Sequence, residues 1–297
     1  MTILIVGGSG FLGTELVRQA VAAGHTTAAT YANQPGDPAQ AAWYRLDLRE
    51  TGHLDAVMAE VDPRIVINAA SDKADWGITA EGPVRLAMAA AERGSRLVHV
   101  SSDAVFSGAR TTYDESCPPD PVSPYGAAKA AAETGMLIVH PKATVARTSL
   151  IIGHGRSVHE HLVHELAAGT RDGALFTDDI RCPVHVTDLA MALLELASHD
   201  APGIHHLAGP DALSRHQLGV LIAERDGLNA GRLPMGSRSR SRLPGALDVR
   251  LDSRATQRKL RTVLRGAREF CTAPGTDVGA ACPRRFWPAS SGGPRTG

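Results

Sequence analysis

The stretch Thr2-Ile3-Leu4-Ile5-Val6 runs directly into Gly7-Gly8-Ser9-Gly10-Phe11-Leu12-Gly13. A short continuous apolar run is typical of a buried parallel strand, and the apolar spacing after it predicts a helix over 11–23. Glycines at intervals of three residues between a strand and a helix are typical of a turn that binds a dinucleotide. The first allows the sharp turn, the second lets a pyrophosphate approach the helix N-terminus, and the third lets helix and strand pack closely. The candidate cofactor contacts in this turn are Gly7, Gly10, Phe11, Leu12 and Gly13.

Strand and helix patterns alternate along the rest of the first half of the chain. The predicted strands are 26–31, 43–46, 64–68, 97–100 and 144–147, and the predicted helices are 53–61, 80–93 and 123–137. This alternation predicts an α/β fold, a Rossmann-type doubly wound parallel sheet in residues 1–150. Ligands of such sheets bind at the carboxyl ends of the strands.

The pattern changes after residue 150, where shorter helices (157–168, 187–197 and 214–225) are separated by turns rich in Gly and Pro. We expect a smaller C-terminal substrate lobe over 151–272, with segments of about 180–210 returning to the first domain. Pro, Gly, Ser and Arg dominate 273–297, which predicts a disordered tail.

Further cofactor contacts are expected at the ends of the later strands. The segment Thr30-Tyr31-Ala32-Asn33, with Thr30 as the candidate contact, stands where an acid would hold the ribose 2′-hydroxyl of NADH or an arginine would accept the 2′-phosphate of NADPH. The missing acid leaves NADPH and NADH both open and favours NADPH. Asp47 and Leu48 can reach the adenine, and the small residues of Asn68-Ala69-Ala70 let the backbone pass close to a ribose.

Tyr125 and Lys129 lie four residues apart on a predicted helix, and Ser102 ends a predicted strand. A free tyrosine has a pKa near 10, and a neighbouring ammonium favours the phenolate, so we expect Lys129 to lower the pKa of Tyr125. Tyr125 can then exchange a proton with a carbonyl oxygen while hydride moves at its carbon. Lys129 would also hold the nicotinamide ribose, and Ser102 would hydrogen-bond the substrate oxygen.

The bulk composition excludes several other classes of function. The 297 residues carry 31 basic and 31 acidic side chains, so no global field attracts nucleic acid or an anionic membrane. The four cysteines are scattered and the first residues carry no basic leader, so we expect a cytoplasmic protein that acts on a small molecule.

Two local patterns of charged residues carry less weight. His159-Glu160-His161 with His164 lacks the zinc protease spacing, so no metal is expected. A solvated loop is expected at Ser237–Arg242, whose arginines could close over a diphosphate.

These residues resemble the extended short-chain dehydrogenase/reductase family, and most closely its dTDP-4-dehydrorhamnose reductase-like (sugar-nucleotide-binding) branch. The resemblance covers roughly residues 2–270. The segments that carry it are Ser102-Asp103-Ala104-Val105-Phe106-Ser107-Gly108, Pro124-Tyr125-Gly126 with Lys129, and Arg181-x-Pro183-Val184-x-Val186-x-Asp188-Leu189-Ala190.

The resemblance implies reduction of the 4-keto group of a nucleotide sugar such as dTDP-4-dehydrorhamnose. A homodimer is also expected. The resemblance places Asp103 and Arg181 in the substrate site, with Arg181 near the diphosphate. The chain departs from the branch at Ala104, where an aromatic residue is usual, and at the shortened segment after Ala70. Two alternatives stay open: an epimerase that keeps NAD tightly bound, and a non-catalytic subunit that binds a dinucleotide and regulates a partner.

Overall fold

The computed structural model describes residues 1–199, 201–241 and 244–272. The strands are β1 (Thr2–Val6), β2 (Thr26–Tyr31), β3 (Ala42–Arg45), β4 (Ile65–Asn68), β5 (Arg96–Ser102), β6 (Thr112–Tyr113), β7 (Thr144–Thr148), β8 (Ile151–Ile152), β9 (Leu175–Phe176), β10 (Ile180–Arg181), β11 (Val184–His185), β12 (Gly203–Leu207), β13 (Leu213–Ser214), β14 (Met235–Gly236) and β15 (Arg250–Leu251). The helices are α1 (Phe11–Ala22), α2 (Thr51–Val61), α3 (Gly82–Glu92), α4 (Pro124–Val139), α5 (Val158–Ala168), α6 (Val186–Ser198), α7 (Arg215–Arg225), α8 (Arg238–Ser241), α9 (Arg254–Gln257) and α10 (Ala267–Phe270).

Seven strands form one parallel sheet in the order β12-β7-β5-β4-β1-β2-β3. The chain builds outward from β1 in one direction through β2 and β3, and then in the other direction through β4, β5, β7 and β12. The direction reverses between β1 and β4, which is the place where ligands enter sheets of this kind. The predicted fold class, a Rossmann-type doubly wound parallel sheet, is confirmed.

Alternate residues of the central strands supply two separate cores, because successive side chains of a strand point to opposite faces. Ile3 and Ile5 pack with α1 and α6 on one face. Leu4 and Val6 pack with α2, α3 and α4 on the other. The side-chain amide of Gln19 on α1 donates to the Thr187 carbonyl of α6 at 2.9 Å, which joins the two helices of the first face.

A third core lies beyond the sheet and is built from α5, α7 and α10, with Val163, Leu218 and Phe270 among its members. Short strands pair beyond the sheet: β10 with β13, β14 with β9, and β11 with β8. The pair of β15 with β6 belongs to a fourth core, which includes Phe106, Tyr113 and Leu251. Of the helices that the structure describes, none is long and apolar enough to cross a membrane.

The helix predicted over 80–93 starts differently from the prediction. A π-helical turn over Gly77–Glu81 leads into α3, and the hydroxyl of Thr79 accepts from the Asp72 amide at 2.9 Å. The tail predicted at 273–297 lies outside the described residues.

Candidate active site

The glycine turn after β1 is a tight junction of three segments. Gly7 has a φ of +79°, and its amide donates to the Thr30 hydroxyl at the end of β2 at 3.0 Å. A Cβ on Gly7 would lie 2.8 Å from the backbone of Ala70, and a Cβ on Gly13 only 2.0 Å from the Gly7 carbonyl oxygen. The turn therefore leaves the backbone amides of Phe11 and Leu12, at the start of α1, free of side chains in front of them. Such a bare helix N-terminus fits the pyrophosphate of a dinucleotide.

Asn68 is fully buried at the end of β4 and shapes the segment beside this turn. Its side-chain oxygen accepts from the Ala70 amide at 3.1 Å, and its side-chain nitrogen lies 3.1 Å from His99 Nδ1. Burial holds the pKa of His99 well below its usual value, with a smaller effect from the charge of Lys129. The imidazole is neutral and its Nδ1 accepts from the side-chain amide of Asn68, so His99 fixes the orientation of the Asn68 side chain.

Asp47 and Leu48, the expected adenine contacts, follow β3. The Asp47 carboxylate accepts from the Arg49 amide and guanidinium at 2.9 Å each, and these hydrogen bonds lower the pKa of Asp47 to about 2. Leu48 is buried, and its carbonyl accepts from Arg85 at 2.6 Å. The Asp47 carboxylate therefore already has a cationic partner within its own turn.

Helix α4 approaches the end of β5 closely enough to bring Tyr125 beside Ser102. The Ser123 hydroxyl caps α4 by accepting from the Gly126 amide at 3.1 Å. A Cβ on Gly126 would lie 2.0 Å from the Ala104 carbonyl oxygen, so only glycine permits this contact. Gly126, which the sequence analysis quoted only as part of a motif, thus has a packing role in bringing α4 to the end of β5.

The electrostatic environment of Tyr125 differs from the expectation. Burial raises the pKa of Tyr125, the charge of Asp103 raises it further, and hydrogen bonds with Ser71 and Ser102 lower it, leaving the pKa above its ordinary value. Lys129 Nζ lies 6.0 Å from the centre of the Tyr125 ring and donates instead to the Val100 carbonyl at 2.9 Å. The phenol is therefore protonated at neutral pH, which is the state that a proton donor requires.

Lys129 is buried beside Glu133, which belongs to a network of charged and polar side chains inside the protein. Burial lowers the pKa of Lys129 to about 8, opposed by the charge of Glu133. Glu133 pairs with Arg147 at 2.8 Å and accepts from the Ser101 hydroxyl at 2.5 Å. Because Glu133 already pairs with Arg147 and Ser101, its negative charge offsets only part of the lowering of the Lys129 pKa by burial.

Asp103 and Arg181 meet in the same cleft. The Asp103 carboxylate accepts from the Ser149 hydroxyl at 2.6 Å and lies 3.5 Å from the Arg181 guanidinium. Arg181 also donates to the carbonyl oxygens of Ile180, Leu247 and Ala246 at 2.7, 3.1 and 2.7 Å. Arg181 therefore lies in this cleft, but most of its hydrogen-bonding capacity is used within the protein.

Two further arginines, which the motifs did not identify as a pair, share a buried carboxylate with Arg181. Asp179, 1% exposed, lies 2.9 Å from Arg181, 3.3 Å from Arg215 and 2.7 Å from Arg238. We call these four residues together with Asp103 the arginine cluster. Three guanidinium groups against two carboxylates leave it with one net positive charge. Arg238 is one of the arginines that the sequence offered for closing over a diphosphate.

His159 of α5 completes the wall beside the arginine cluster. Burial lowers the pKa of His159 to about 3, and the charges of Arg215 and Lys73 add to the effect. The imidazole is therefore neutral, and its Nδ1, 3.3 Å from the Arg215 guanidinium, accepts a hydrogen bond there. His164 faces the other way and pairs with Asp226 at 2.6 Å.

Two adjoining cavities meet at this wall. The larger, of about 460 Å³, is the catalytic cleft, and it is lined by residues that include Phe11, Ser102, Asp103, Tyr125, Ser149, Arg156, His159, Arg181, Arg215 and Arg238. The smaller, of about 250 Å³, is the lobe cavity, and it is lined by residues that include His159, Leu162, Leu175, Phe176, Asp179, Arg215, Leu218 and Arg238. The cleft can hold a group that exchanges a proton with Tyr125, and the arginine cluster can hold an anion beside it.

Comparison with known proteins gives a consistent picture. The family model described as RmlD substrate binding domain matches residues 1–266. A dTDP-4-dehydrorhamnose reductase of Mycolicibacterium smegmatis is 32% identical over 252 residues, which cover 79% of this chain and 72% of that protein. A probable dTDP-4,6-dihydroxy-2-methyloxan-3-one 4-ketoreductase of Streptomyces antibioticus is 36% identical over 220 residues, 69% of each chain.

Solved structures with the same fold include a hypothetical dTDP-4-dehydrorhamnose reductase from Sulfolobus tokodaii. It is 28% identical, with a TM-score of 0.78 over 89% of this chain and 97% of that one. A dTDP-4-dehydrorhamnose reductase from Bacillus anthracis in complex with NADP has a TM-score of 0.76 at 22% identity, over 91% and 97% of the two chains. The second likeness bears on the fold alone.

Proposed function

The chain belongs to the RmlD substrate binding domain family, and from this premise we propose that it reduces the 4-keto group of a nucleotide sugar, such as dTDP-4-dehydrorhamnose, with NADPH or NADH. It is an oxidoreductase that uses a nicotinamide dinucleotide. The observation that carries the proposal is one cleft in which Tyr125 and Ser102 lie beside the glycine turn on one side and the arginine cluster on the other.

Each part of the cleft has a distinct task in this reaction. When bound, the reduced nicotinamide supplies a hydride to the carbonyl carbon. Ser102 holds the carbonyl oxygen by a hydrogen bond, and Tyr125 gives its hydroxyl proton to that oxygen as negative charge develops there. The raised pKa of Tyr125 keeps the proton available at neutral pH. Lys129, fixed on the Val100 carbonyl, supplies a positive charge beneath the site.

The glycine turn is the part of the chain that would hold the cofactor. The residues that we assign to the cofactor site are Gly7, Gly10, Phe11, Leu12, Gly13, Thr30, Asp47, Leu48, Asn68, Ala69, Ala70, Tyr125 and Lys129. The close approach of Gly13 to the Gly7 carbonyl supports this assignment, because it leaves room for backbone-to-phosphate contact and for little else. The lack of an acid at the end of β2 supports a preference for NADPH over NADH.

The arginine cluster supports a substrate with a diphosphate. Arg215 and Arg238 line both cavities, and their side chains are 24% and 18% exposed. Arg181 lines only the cleft, and its side chain is 9% exposed. We therefore assign the principal diphosphate contacts to Arg215 and Arg238, with Arg181 and Asp103 holding the wall behind them. The lobe cavity, beside the same arginines, would take the nucleoside. This divides the chain into a cofactor domain over 1–150, which α6 and β12 from about 180–210 rejoin, and a substrate lobe over the rest of 151–272.

The test is oxidation of NADPH and NADH, followed by absorbance, against a panel of dTDP-4-keto-6-deoxy sugars and simple uncharged ketones. We expect cofactor oxidation that depends on the nucleotide sugar and forms the 4-hydroxy product. Oxidation with the simple ketones alone would contradict the diphosphate assignment.

The same preparation separates the two alternatives. Tightly bound NAD that survives purification, together with interconversion of sugar epimers and no net cofactor oxidation, would establish an epimerase. Dinucleotide binding without turnover on any member of the panel would favour a regulatory subunit. The presence of Ser102, Tyr125 and Lys129 together argues against that last outcome, since binding alone does not require them.

A further inference from the structure

A third cavity, of about 520 Å³, lies on the outer side of the glycine turn. We call it the turn cavity. Its walls are Ser9 and Thr14 at the start of α1, the segment 32–37 after β2, and Trp43. Arg156 lines both the turn cavity and the catalytic cleft, and no other described residue lines both. One side chain from the C-terminal half of the chain therefore spans from the substrate side of the glycine turn to its outer side.

The backbone that carries Arg156 is held rigidly. Gly153, His154 and Gly155 have φ values of +145°, +58° and +63°, which make a sharp turn before Arg156. The amides of Gly153, Gly155 and Ser157 all donate to the carboxylate of Glu160, at 3.2, 3.3 and 3.0 Å. Glu160 is fully buried and pairs with Arg225 at 2.8 Å. This fixed support reduces the conformational entropy that Arg156 would lose on binding a ligand.

The same support is attached to the helix that begins at the glycine turn. His154 Nε2 lies 3.9 Å from the Glu15 carboxylate of α1 and 3.4 Å from the Thr187 hydroxyl of α6. Arg156 thus reaches the glycine turn from a loop docked on α1. The guanidinium itself makes no hydrogen bond or ion pair with any residue that the structure describes. It is the one cation among the described residues that line the turn cavity.

The other polar groups of the turn cavity are already engaged or uncharged. Asp37 is the one carboxylate among the lining residues, and its oxygens accept from the Ala39 amide at 2.9 Å and the Gln40 side chain at 3.4 Å. Ala32 stands directly after β2, where an acid would bind the 2′-hydroxyl of NADH. The cavity offers Arg156 and the amide side chains of Asn33 and Gln34 to a ligand.

We propose that Arg156 recognises the 2′-phosphate of NADPH, so that cofactor choice is made by a residue outside the strand that usually makes it. The inference rests on the proposed function, because it assumes that a dinucleotide lies on the glycine turn. A guanidinium suits a phosphate because its planar donors match the phosphate oxygens. NADH lacks this phosphate, so Arg156 gains nothing from it at this position.

The experiment is calorimetric titration of the full chain with NADP⁺, NAD⁺, 2′,5′-ADP and 5′-ADP, for the wild type, Arg156→Ala and Arg156→Lys. We expect Arg156→Ala to weaken NADP⁺ and 2′,5′-ADP roughly 10- to 100-fold, as for one charge-assisted phosphate contact, and NAD⁺ and 5′-ADP less than about 3-fold. Arg156→Lys should retain part of the affinity. Arg171→Ala is the matched control, because Arg171 is an exposed arginine at the far end of α5 that pairs with Glu165.

Equal weakening of NADP⁺ and NAD⁺ by Arg156→Ala would overturn the inference and assign Arg156 to the shared pyrophosphate. Unchanged binding of all four ligands would also overturn it. Failure of the wild type to bind either dinucleotide would instead contradict the proposed function itself. Arg156 is exposed and unpaired among the described residues, so its substitution does not threaten the fold, and circular dichroism of each variant checks this.

Discussion

The ammonium of Lys129 donates a hydrogen bond to the carbonyl oxygen of Val100 at 2.9 Å, which ties the middle of α4 to the end of β5. Val100 lies two residues before Ser102, and Tyr125 lies one helical turn before Lys129. One contact therefore fixes the distance between the hydroxyl that would hold the substrate oxygen and the hydroxyl that would protonate it.

Tyr125→Phe removes the proton donor and leaves the ring in place. We expect kcat to fall by ~10²–10⁴, the range for the loss of a general acid, with little change in the dissociation constant for NADPH. Steady-state kinetics and titration measure the two quantities. Tyr44→Phe, which removes a hydroxyl from β3 far from the cleft, should leave both unchanged. Near wild-type turnover in Tyr125→Phe would show that another group supplies the proton.

Lys129 should make cofactor binding depend on pH. Burial lowers its pKa to about 8, so the ammonium is present below that pH and is lost as the pH rises through it. We expect the affinity for NADPH to weaken above about pH 8 in the wild type. Lys129→Met, similar in length and uncharged, should bind more weakly at pH 7 and show no change across the same range. A wild-type affinity that stays constant between pH 7 and 9 would contradict a role for this charge.

Arg215→Ala should weaken substrate binding without weakening cofactor binding. Loss of a charge-assisted contact worth ~1.5–3 kcal/mol would raise KM roughly 10- to 100-fold for a nucleotide sugar. An uncharged ketone makes no such contact, so its KM should hardly change. Kinetics with both substrates distinguish the outcomes, and equal effects on the two would assign Arg215 a structural role instead.

Arg181→Ala should act mainly on stability. Arg181 faces the carboxylates of Asp103 and Asp179, and both would be left with fewer partners in a buried site. Breaking a buried pair by removal of one partner costs ~3–5 kcal/mol, so we expect a large fall in the free energy of unfolding. Urea denaturation measures it. A stable variant with a raised KM for the nucleotide sugar would instead make Arg181 a direct diphosphate contact.

Gly13→Ala and Gly52→Ala form a matched pair of helical substitutions. The Cβ at position 13 would overlap the Gly7 carbonyl, so we expect loss of dinucleotide binding and a lower melting temperature. The Cβ at position 52 on α2 meets nothing within 4 Å, so the change should stabilise the protein by ~0.5–1 kcal/mol. Titration and thermal denaturation test both. Undiminished NADPH binding by Gly13→Ala would contradict the tight turn.

Local features of this chain were readable from the sequence because they depend on neighbours along it. The apolar run Thr2–Val6, the glycine spacing after it and the helical spacing of Tyr125 and Lys129 each reflect the period of one element or the geometry of one turn. The alternation of such elements led to the parallel sheet, since parallel strands need long crossover connections. Ser102 could be assigned to the site because it ends a strand, and ligands of such sheets bind at the carboxyl ends of the strands.

Only the tertiary structure decided which charged residues, far apart in the sequence, pair with one another. Arg238 and Asp179 are 59 residues apart, and Arg215 and His159 are 56 apart, so no local pattern links them. Arg181 was visible in the sequence, but its bonds to the carbonyls of Leu247 and Ala246 depend on a segment about 65 residues away. The raised pKa of Tyr125 has the same origin, because the burial that causes it is produced by the packing of separate elements rather than by the helix that carries the residue.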